Sequence, residues 1–174
     1  GMADAAVAGD VFASPSAHSI AHVARLAHQG GGILLGFGNY AGDVMNFGLA
    51  AERLISEGFD VRLLAVTDDV ASAPIEKRNE RRGVAGDLAV FKIVGAAAES
   101  GASLEKIEKI AQHANARTTS FGVAFTGCTL PGAKEALFTV PKGLMGVGLG
   151  VHGEAGISEE KIMSASALAD LLVE

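Results

Sequence analysis

One segment of the chain constrains its fold most, because it places an amphipathic stretch between two short apolar runs. The apolar runs are GILLGFG (32–38) and DVRLLAV (60–66), and each has the length and composition of a buried strand. Between them lie a turn, NYAGD (39–43), and a helix that the apolar spacing predicts over 44–58. A strand, a helix and a strand in this order predict two parallel strands joined by a right-handed crossover.

The rest of the chain continues the alternation of helices and strands. Ser14 or Ser16 would cap the first of the helices, and Ser103 would cap the fourth. The polar stretch 67–87 is predicted to be a long surface loop. We therefore expect an α/β fold with a mainly parallel open sheet and helices on both faces. The chain is predicted to form one domain over 1–174, and its later strands could be antiparallel. The further predicted helices cover 14–31, 88–101, 103–116 and 158–174, and the further predicted strands cover 118–126, 136–140 and 144–151.

Composition and net charge exclude some classes of binding partner and predict the cellular compartment. Hydrophobic residues make up 49% of 174 residues, with eight Phe, one Tyr and no Trp, so the core must be aliphatic. A net charge of −6 argues against nucleic acid and anionic membrane surfaces as partners. There is no apolar run of the roughly 18 residues that a membrane span needs, and no signal sequence. The single cysteine, Cys128, excludes an internal disulfide and predicts a reducing, cytoplasmic location.

Two polar residues follow predicted strands, and ligands of open α/β sheets bind beyond the carboxyl ends of strands. Asp43 is either the N-cap of a helix or a general base at the strand end. His152 lies in GLMGVGLGVHGEAG (143–156), and it is either a hydrogen-bonded structural histidine or a functional one. The glycines beside it remove side chains and allow a close approach. Glu154 would orient the imidazole if the chain stays extended there.

Other motifs are weaker. The glycines of GFGNYAGD lack the spacing of a dinucleotide fingerprint. His18 and His22 are four residues apart on a predicted helix, but no third ligand is near, so no metal site is predicted. Cys128 is better explained as a small buried residue than as a nucleophile. The basic run EKRNERRG (76–83) is typical of a solvated loop, or would meet an acidic partner or a phosphoryl donor.

Four stretches together resemble one family, in their order and in their spacing. They are GMADAAVAGDVFASP, GNYAGDVMNFGLAAE, RRGVAGDLAVFKIVGAAAESGASLEKI and GLGVHGEAG. They are similar to the substrate-binding subunit or domain of dihydroxyacetone kinases, and the resemblance covers essentially the whole chain.

The resemblance implies a role for each of several residues. His152 would bond to the ketone carbon of the substrate as a hemiaminal, and Asp43 would be the general base at the substrate hydroxyl. Ser14 would contact the substrate, and Gly38, Asn39 and Gly42 would complete the binding site. Covalent capture by a neutral imidazole selects for a carbonyl, which glycerol lacks.

The resemblance also implies what the chain binds. The substrate would be dihydroxyacetone or a related short ketose such as erythrulose. No cofactor is expected on this chain, because ATP, or ADP reloaded by a phosphotransferase system, would bind with Mg on a helical kinase subunit or domain. A homodimer is expected.

Some features depart from the family pattern. The family carries an upstream glycine-rich loop with another active-site histidine and a second α/β domain, neither of which is in this sequence. Gly38 stands where lysine is common, and Ala155 replaces the proline of H-G-E-P. Two other readings therefore stay open: a non-catalytic ketose-binding paralogue acting as a sensor or coregulator, and a structural or interaction domain.

Overall fold

The computed structural model describes residues 1–173, and the chain divides into two compact units. The first unit comprises Gly1–Asp68 and Arg82–Thr119, and the second comprises Asp69–Arg81 and the chain from Ser120 onwards. No helix among the described residues is long and apolar enough to cross a bilayer.

The first unit is a short parallel sheet with helices on both faces. Strand β1 pairs with β2 in parallel, with Ile33 opposite Val61 and Gly38 opposite Val66. The helix α2 connects the two strands, so the predicted strand–helix–strand unit with parallel strands is confirmed. Its elements are α1 (Ala17–Ala27), β1 (Ile33–Gly38), α2 (Ala41–Ser56), β2 (Val61–Val66), α3 (Gly86–Glu99) and α4 (Leu104–Arg117).

Alternate residues of the two strands serve two hydrophobic clusters. On one face the buried Leu35 and Phe37 belong to a cluster with residues of α1 and α2, and the Phe37 and Phe47 rings stack with centroids 4.6 Å apart. On the other face Leu64 and Val66 belong to a cluster with residues of α3 and α4. Because side chains point to alternate faces of a strand, the near-continuous apolar runs are explained by burial on both sides.

The helix ends agree in part with the predicted caps. Ser16 Oγ accepts a hydrogen bond of 3.1 Å from the Ser19 N–H, so Ser16 rather than Ser14 caps α1. Ser103 caps α4 as predicted, accepting from the Lys106 N–H. Helix α2 begins at Ala41, three residues earlier than predicted, and Tyr40 is its N-cap without a side-chain hydrogen bond. Asp43 is therefore a residue of the first helical turn, and the prediction that it is the N-cap is wrong.

The second unit contains a three-stranded antiparallel sheet in the order β3–β4–β5. A 3-10 segment covers Ile75–Glu80, and Asp69 and Ser120 form an isolated parallel bridge. The elements are β3 (Val123–Ala124), β4 (Leu144–Val147), β5 (Ser158–Lys161) and α5 (Ala165–Val173).

Several predictions for this unit are wrong. Residues 136–140 are not a strand, and the strands predicted over 118–126 and 144–151 shrink to β3 and β4. The helix predicted over 158–174 is instead the exposed strand β5 followed by a helix from Ala165. Strand β4 ends at Val147 because Gly148 adopts a φ of +70°, which turns the chain. The described strands are thus parallel in one small sheet and antiparallel in the other, so the mainly parallel sheet is confirmed only in part.

Candidate functional site

The carboxyl ends of β1 and β2 form one edge of the first unit. The Asn39 N–H donates to the Val66 carbonyl at 3.2 Å, which holds the two strand ends side by side. The Tyr40 N–H then donates to the Gly38 carbonyl at 2.8 Å, and the chain turns into α2. Asp43 follows in the first turn of α2, where the helix dipole favours a carboxylate. The structure therefore places Gly38, Asn39 and Asp43 at one strand edge.

Ser14 also reaches this edge. A Cβ added to Gly42 would lie 3.3 Å from the Ser14 Cβ, so Ser14 packs directly against the start of α2. The Ser14 hydroxyl is half-buried and donates to the Pro15 carbonyl at 3.4 Å. Ser14 and Gly42 thus lie together at this edge.

Gly83 packs on the strand ends from the segment that leads into α3. A Cβ on Gly83 would lie 2.5 Å from the Val66 carbonyl oxygen and 2.7 Å from the Gly38 Cα. Only glycine fits such an approach of one backbone to another. The stretch RRGVAGD therefore belongs to the same edge, although the predicted surface loop 67–87 had placed it in solvent.

Asp68 holds this segment in place. Its side chain is fully buried, and its two carboxylate oxygens accept hydrogen bonds from the Val84 N–H at 2.9 Å and the Gly86 N–H at 2.8 Å. A Cβ on Gly86 would lie 2.4 Å from the Asp68 Cβ and Cγ, so the carboxylate lies tightly under the start of α3. Asp68 is a structural member of the edge that the sequence interpretation missed.

Asp87 is the third carboxyl group of the edge, in the first turn of α3. Burial, and to a smaller extent the charges of Asp68 and Asp43, raise the pKa of Asp87 to about 7. Within residues 1–173 its Oδ1 is buried and has no hydrogen-bond partner. Its Oδ2 lies 3.2 Å from the position that a Cβ on Gly38 would occupy.

Sequence reasoning could have found both aspartates. Asp68 follows β2 as Asn39 follows β1, so the rule that placed Asn39 and Asp43 at the edge applies equally to the stretch TDD (67–69). Asp87 begins a helix whose start the motif RRGVAGD already marked.

His152 belongs to the second unit and lies in a turn beyond β4. The Gly153 N–H donates to the Gly150 carbonyl at 3.0 Å, and the Gly150 N–H donates to the Glu154 carbonyl at 3.0 Å. The turn brings Glu154 onto His152: Nδ1 lies 2.8 Å from Glu154 Oε1, and the His152 N–H donates to Oε2 at 3.0 Å. Glu154 orients the imidazole as expected, but through a tight turn rather than an extended chain.

The electrostatics of this pair favour an ionised glutamate. Burial raises the pKa of Glu154, but hydrogen bonds from its own backbone N–H and from the His152 ring and backbone outweigh burial, so that the pKa is lowered overall. Both side chains are about one-third exposed, at 31% for His152 and 37% for Glu154. An ionised carboxylate accepts from Nδ1–H and thereby fixes the tautomer of the neutral ring.

The glycines beside His152 have specific reasons to be glycine. Gly153 has a φ of +90°, and a Cβ there would lie 2.6 Å from the Phe138 ring. Gly156 lies under the Val147 carbonyl, where a Cβ would approach the oxygen to 2.4 Å. These glycines allow the tight turn that presents His152.

The weaker candidates do not form sites. The rings of His18 and His22 stack with centroids 6.4 Å apart on α1, and no group of three metal-ligating side chains occurs within the described residues. Cys128 is a half-buried free thiol. In the basic run, most residues up to Glu80 are exposed, whereas Arg81 is buried and its Nε donates to the Ala73 carbonyl at 2.7 Å.

Comparison with known proteins identifies relatives over the full length of the chain. The Dak1 domain model matches residues 1–174. The chain is 60% identical over 173 residues to the L-erythrulose kinase of Pectobacterium atrosepticum, covering 99% of this chain and 29% of that protein. It is also 44% identical over 172 residues to DhaK of Listeria innocua, which is the dihydroxyacetone-binding subunit of a PTS-dependent dihydroxyacetone kinase. This match covers 99% of this chain and 51% of that subunit.

Solved structures share the fold. The dihydroxyacetone kinase of C. freundii matches with a TM-score of 0.86 and 39% identity over 94% of this chain and 30% of that chain, and its complex with AMP-PNP and Mg²⁺ matches with a TM-score of 0.85. The dihydroxyacetone kinase operon co-activator DhaQ matches with a TM-score of 0.82 and 28% identity over 91% of this chain and 49% of that chain.

The chain spans between about a third and a half of the length of these relatives. The family model and the relatives cover essentially all of its own residues. The sequence resemblance to the substrate-binding part of dihydroxyacetone kinases is therefore confirmed, and the chain belongs to the Dak1 domain family.

Proposed function

We propose that this chain is the substrate-binding part of a kinase for dihydroxyacetone or a related small ketose, and that it holds the ketose as a hemiaminal on His152. The observation that carries the proposal is the His152–Glu154 pair. The contact of Nδ1 with the carboxylate leaves the lone pair of the other ring nitrogen available for addition to a carbonyl. The relatives named as erythrulose and dihydroxyacetone kinases support the substrate class.

The tautomer of His152 determines which nitrogen reacts. With Nδ1–H donating to the Glu154 carboxylate at 2.8 Å, the neutral ring carries its lone pair on Nε2. Nε2 attacks the ketone carbon, a C–N bond forms, and the π electrons of the carbonyl move to its oxygen, which takes up a proton from water. The Nδ1 proton passes to Glu154 and from there to water, so the adduct is neutral, no net proton is consumed, and the reverse steps release the ketose.

Asp43 is proposed to act as the general base. Its carboxylate would accept the proton of the substrate hydroxyl while the oxygen bonds to the transferred phosphoryl group. Ser14, Asn39 and Gly42 lie at the same edge and would position that hydroxyl. A helical kinase subunit or domain would hold the phosphoryl donor with Mg, and a homodimer is part of the proposal.

A second candidate is a coregulator that binds the ketose without turnover. The 28% identical co-activator DhaQ, with its TM-score of 0.82, is the observation that favours it. The kinase reading has greater support because the erythrulose kinase is 60% identical and because Asp43, which binding alone does not need, is present at the strand edge. Formation of phosphorylated ketose by the complete protein with ATP and Mg separates the two.

Calorimetric titration with dihydroxyacetone and erythrulose tests the proposed function. The parent protein should bind at least one ketose, glycerol should not compete, and His152→Ala should abolish binding because the C–N bond is lost. His22→Ala is the matched control, since His22 is an exposed histidine on α1. Equal binding by the parent and His152→Ala would contradict covalent capture.

A further inference from the structure

We propose that Asn115 is a positioning residue for phosphoryl transfer, whose side-chain amide fixes the end of β2 and thereby the turn that carries Asn39 and Asp43. This inference rests on the proposed function, because it concerns the same strand edge. Asn115 lies on α4, a helix that the catalytic steps above do not use. It acts through the backbone of β2 rather than by contact with the substrate.

The amide of Asn115 bonds the backbone of β2 on both sides of one residue. Its Oδ1 accepts from the Thr67 N–H at 3.0 Å, and its Nδ2 donates to the Ala65 carbonyl at 3.0 Å. The Thr67 hydroxyl also donates to Oδ1, at 3.4 Å. Because a backbone N–H can only donate and a carbonyl can only accept, these partners determine which end of the amide is the oxygen. The side chain is therefore held in one orientation.

These bonds complete the outer edge of β2. Along a strand, the N–H and C=O groups of successive residues point alternately to its two sides. The Val66 carbonyl points to β1 and accepts from the Asn39 N–H at 3.2 Å, so the bonding groups of Ala65 and Thr67 point away from β1. In the described part of the chain, the sheet of β1 and β2 has no third strand. Asn115 supplies the bonds that such a strand would provide.

Packing of α4 on β2 brings the amide within reach of the strand. Ala111 and Ala114 of α4 are buried in the same cluster as Leu64 and Val66 of β2. Their small side chains let the helix lie close to the strand, so that a side chain as short as asparagine reaches the backbone. Aspartate has the size of asparagine but lacks the donor, and leucine lacks both polar groups.

The end of β2 determines the geometry of the proposed site. The Asn39 N–H is bonded to the Val66 carbonyl, and α2 begins two residues after Asn39, with Asp43 in its first turn. A shift of Thr67 would move the Val66 peptide and with it the turn before α2. Misplacement of a reacting group by about 1 Å can lower a rate about 100-fold, so even a small relaxation of this backbone would be measurable in kcat.

A purely structural role for Asn115 makes a different prediction. Loss of its hydrogen bonds would then lower the stability of the first unit and leave the turnover of the folded protein unchanged. A positioning role lowers kcat in the folded protein, because the Asp43 carboxylate no longer meets the substrate hydroxyl in the reactive geometry. KM should change little, since the ketose is still held by its C–N bond to His152.

Steady-state kinetics of the complete protein with ATP, Mg and dihydroxyacetone or erythrulose test the proposal. The variants are Asn115→Leu and Asn115→Asp, and Ser103→Ala is the matched control because it weakens the same helix at its other end. Both Asn115 variants should lower kcat by about tenfold or more and change KM by less than about threefold. Ser103→Ala should keep the kcat of the parent. Circular dichroism at the assay temperature checks that each variant is folded.

The outcomes separate the two roles of Asn115 and also test the proposed function. A folded Asn115→Asp variant with the kcat of the parent would overturn the positioning role, and so would an equal loss of kcat in Ser103→Ala. A raised KM with unchanged kcat would overturn it as well. If Asn115→Leu does not fold, Asn115→Asp decides, and failure of both to fold would make Asn115 a structural residue. A parent that binds the ketose but does not phosphorylate it contradicts the proposed kinase function, and the inference falls with it.

Discussion

Replacing Asp87 by asparagine should stabilise the protein increasingly as the pH rises from 4 to 8. The pKa of Asp87 is raised from 3.8 to about 7, chiefly by burial and then by the charges of Asp68 and Asp43. The folded state therefore holds this proton more tightly than the unfolded state does. The contribution of Asp87 to the stability of the parent is greatest below the unfolded pKa, falls as the pH rises toward 7, and is level above it.

The magnitude follows from the size of the shift. A displacement of about three pKa units corresponds to about 4 kcal/mol at 1.36 kcal/mol per unit. Because the side chain is only partly buried, solvent screening reduces this to roughly 2 kcal/mol. The asparagine carries no charge at either pH, so the difference in unfolding free energy between Asp87→Asn and the parent should grow by about that amount.

Urea unfolding followed by circular dichroism at pH 4, 6 and 8 measures this difference, with the denaturant slopes compared to verify two-state behaviour. Asp4→Asn, a substitution at an exposed position of the first unit, is measured in parallel as the control. A stability difference that stays flat between pH 4 and pH 8, or an Asp87→Asn variant that is less stable than the parent at pH 8, would refute the placement of Asp87 in a buried acidic edge.

Two further substitutions test the packing behind the site. Gly86→Ala should destabilise the first unit by about 1–3 kcal/mol, since the new Cβ would lie 2.4 Å from Asp68, and urea unfolding that shows no loss would contradict this close approach. Ser103→Ala should cost about 1 kcal/mol by removing the N-cap of α4, and a thermal midpoint equal to that of the parent would argue against the cap.

The strand–helix–strand unit could be predicted because a strand that is buried on both faces is a continuous apolar run in the sequence. Leu35 and Phe37 serve one cluster and Leu64 and Val66 the other, so both strands appear as continuous apolar runs. Ser103 precedes a regular apolar spacing, and its capping role follows from that position.

The second unit was harder to predict because its strands are short and carry little pattern. Strand β5 is SEEK, four exposed residues held to β4 by backbone pairing, for which no periodicity of side chains exists. The stretch ALFTV (136–140) has strand composition but no strand partner among the described residues. Composition therefore predicts neither the strand β5 nor the absence of a strand at 136–140, because the pairing of strands depends on residues distant in sequence.

The candidate site was predictable where a residue follows a recognisable strand, and otherwise not. Asp43 was found in this way, although as a first-turn residue rather than an N-cap. Asp68 follows β2 and Asp87 stands at the start of α3, so the positions of both carry a signal in the sequence. Their burial was not predictable, because the stretch has the polar composition of a surface loop and packs through the backbone contact of Gly83 with Gly38. Such contacts between glycines leave no trace in hydropathy or periodicity.

The most direct test of the account is the state of the ketone carbon in the bound ligand. Dihydroxyacetone labelled with ¹³C at its central carbon is added to the parent protein, to His152→Ala and to the control His22→Ala, and carbon NMR spectra are recorded. The bound label in the parent and in His22→Ala should resonate as a tetrahedral carbon, and this signal should be absent in His152→Ala. A bound label that keeps its carbonyl resonance in the parent, or a tetrahedral signal that persists in His152→Ala, would contradict the proposal that His152 captures the substrate.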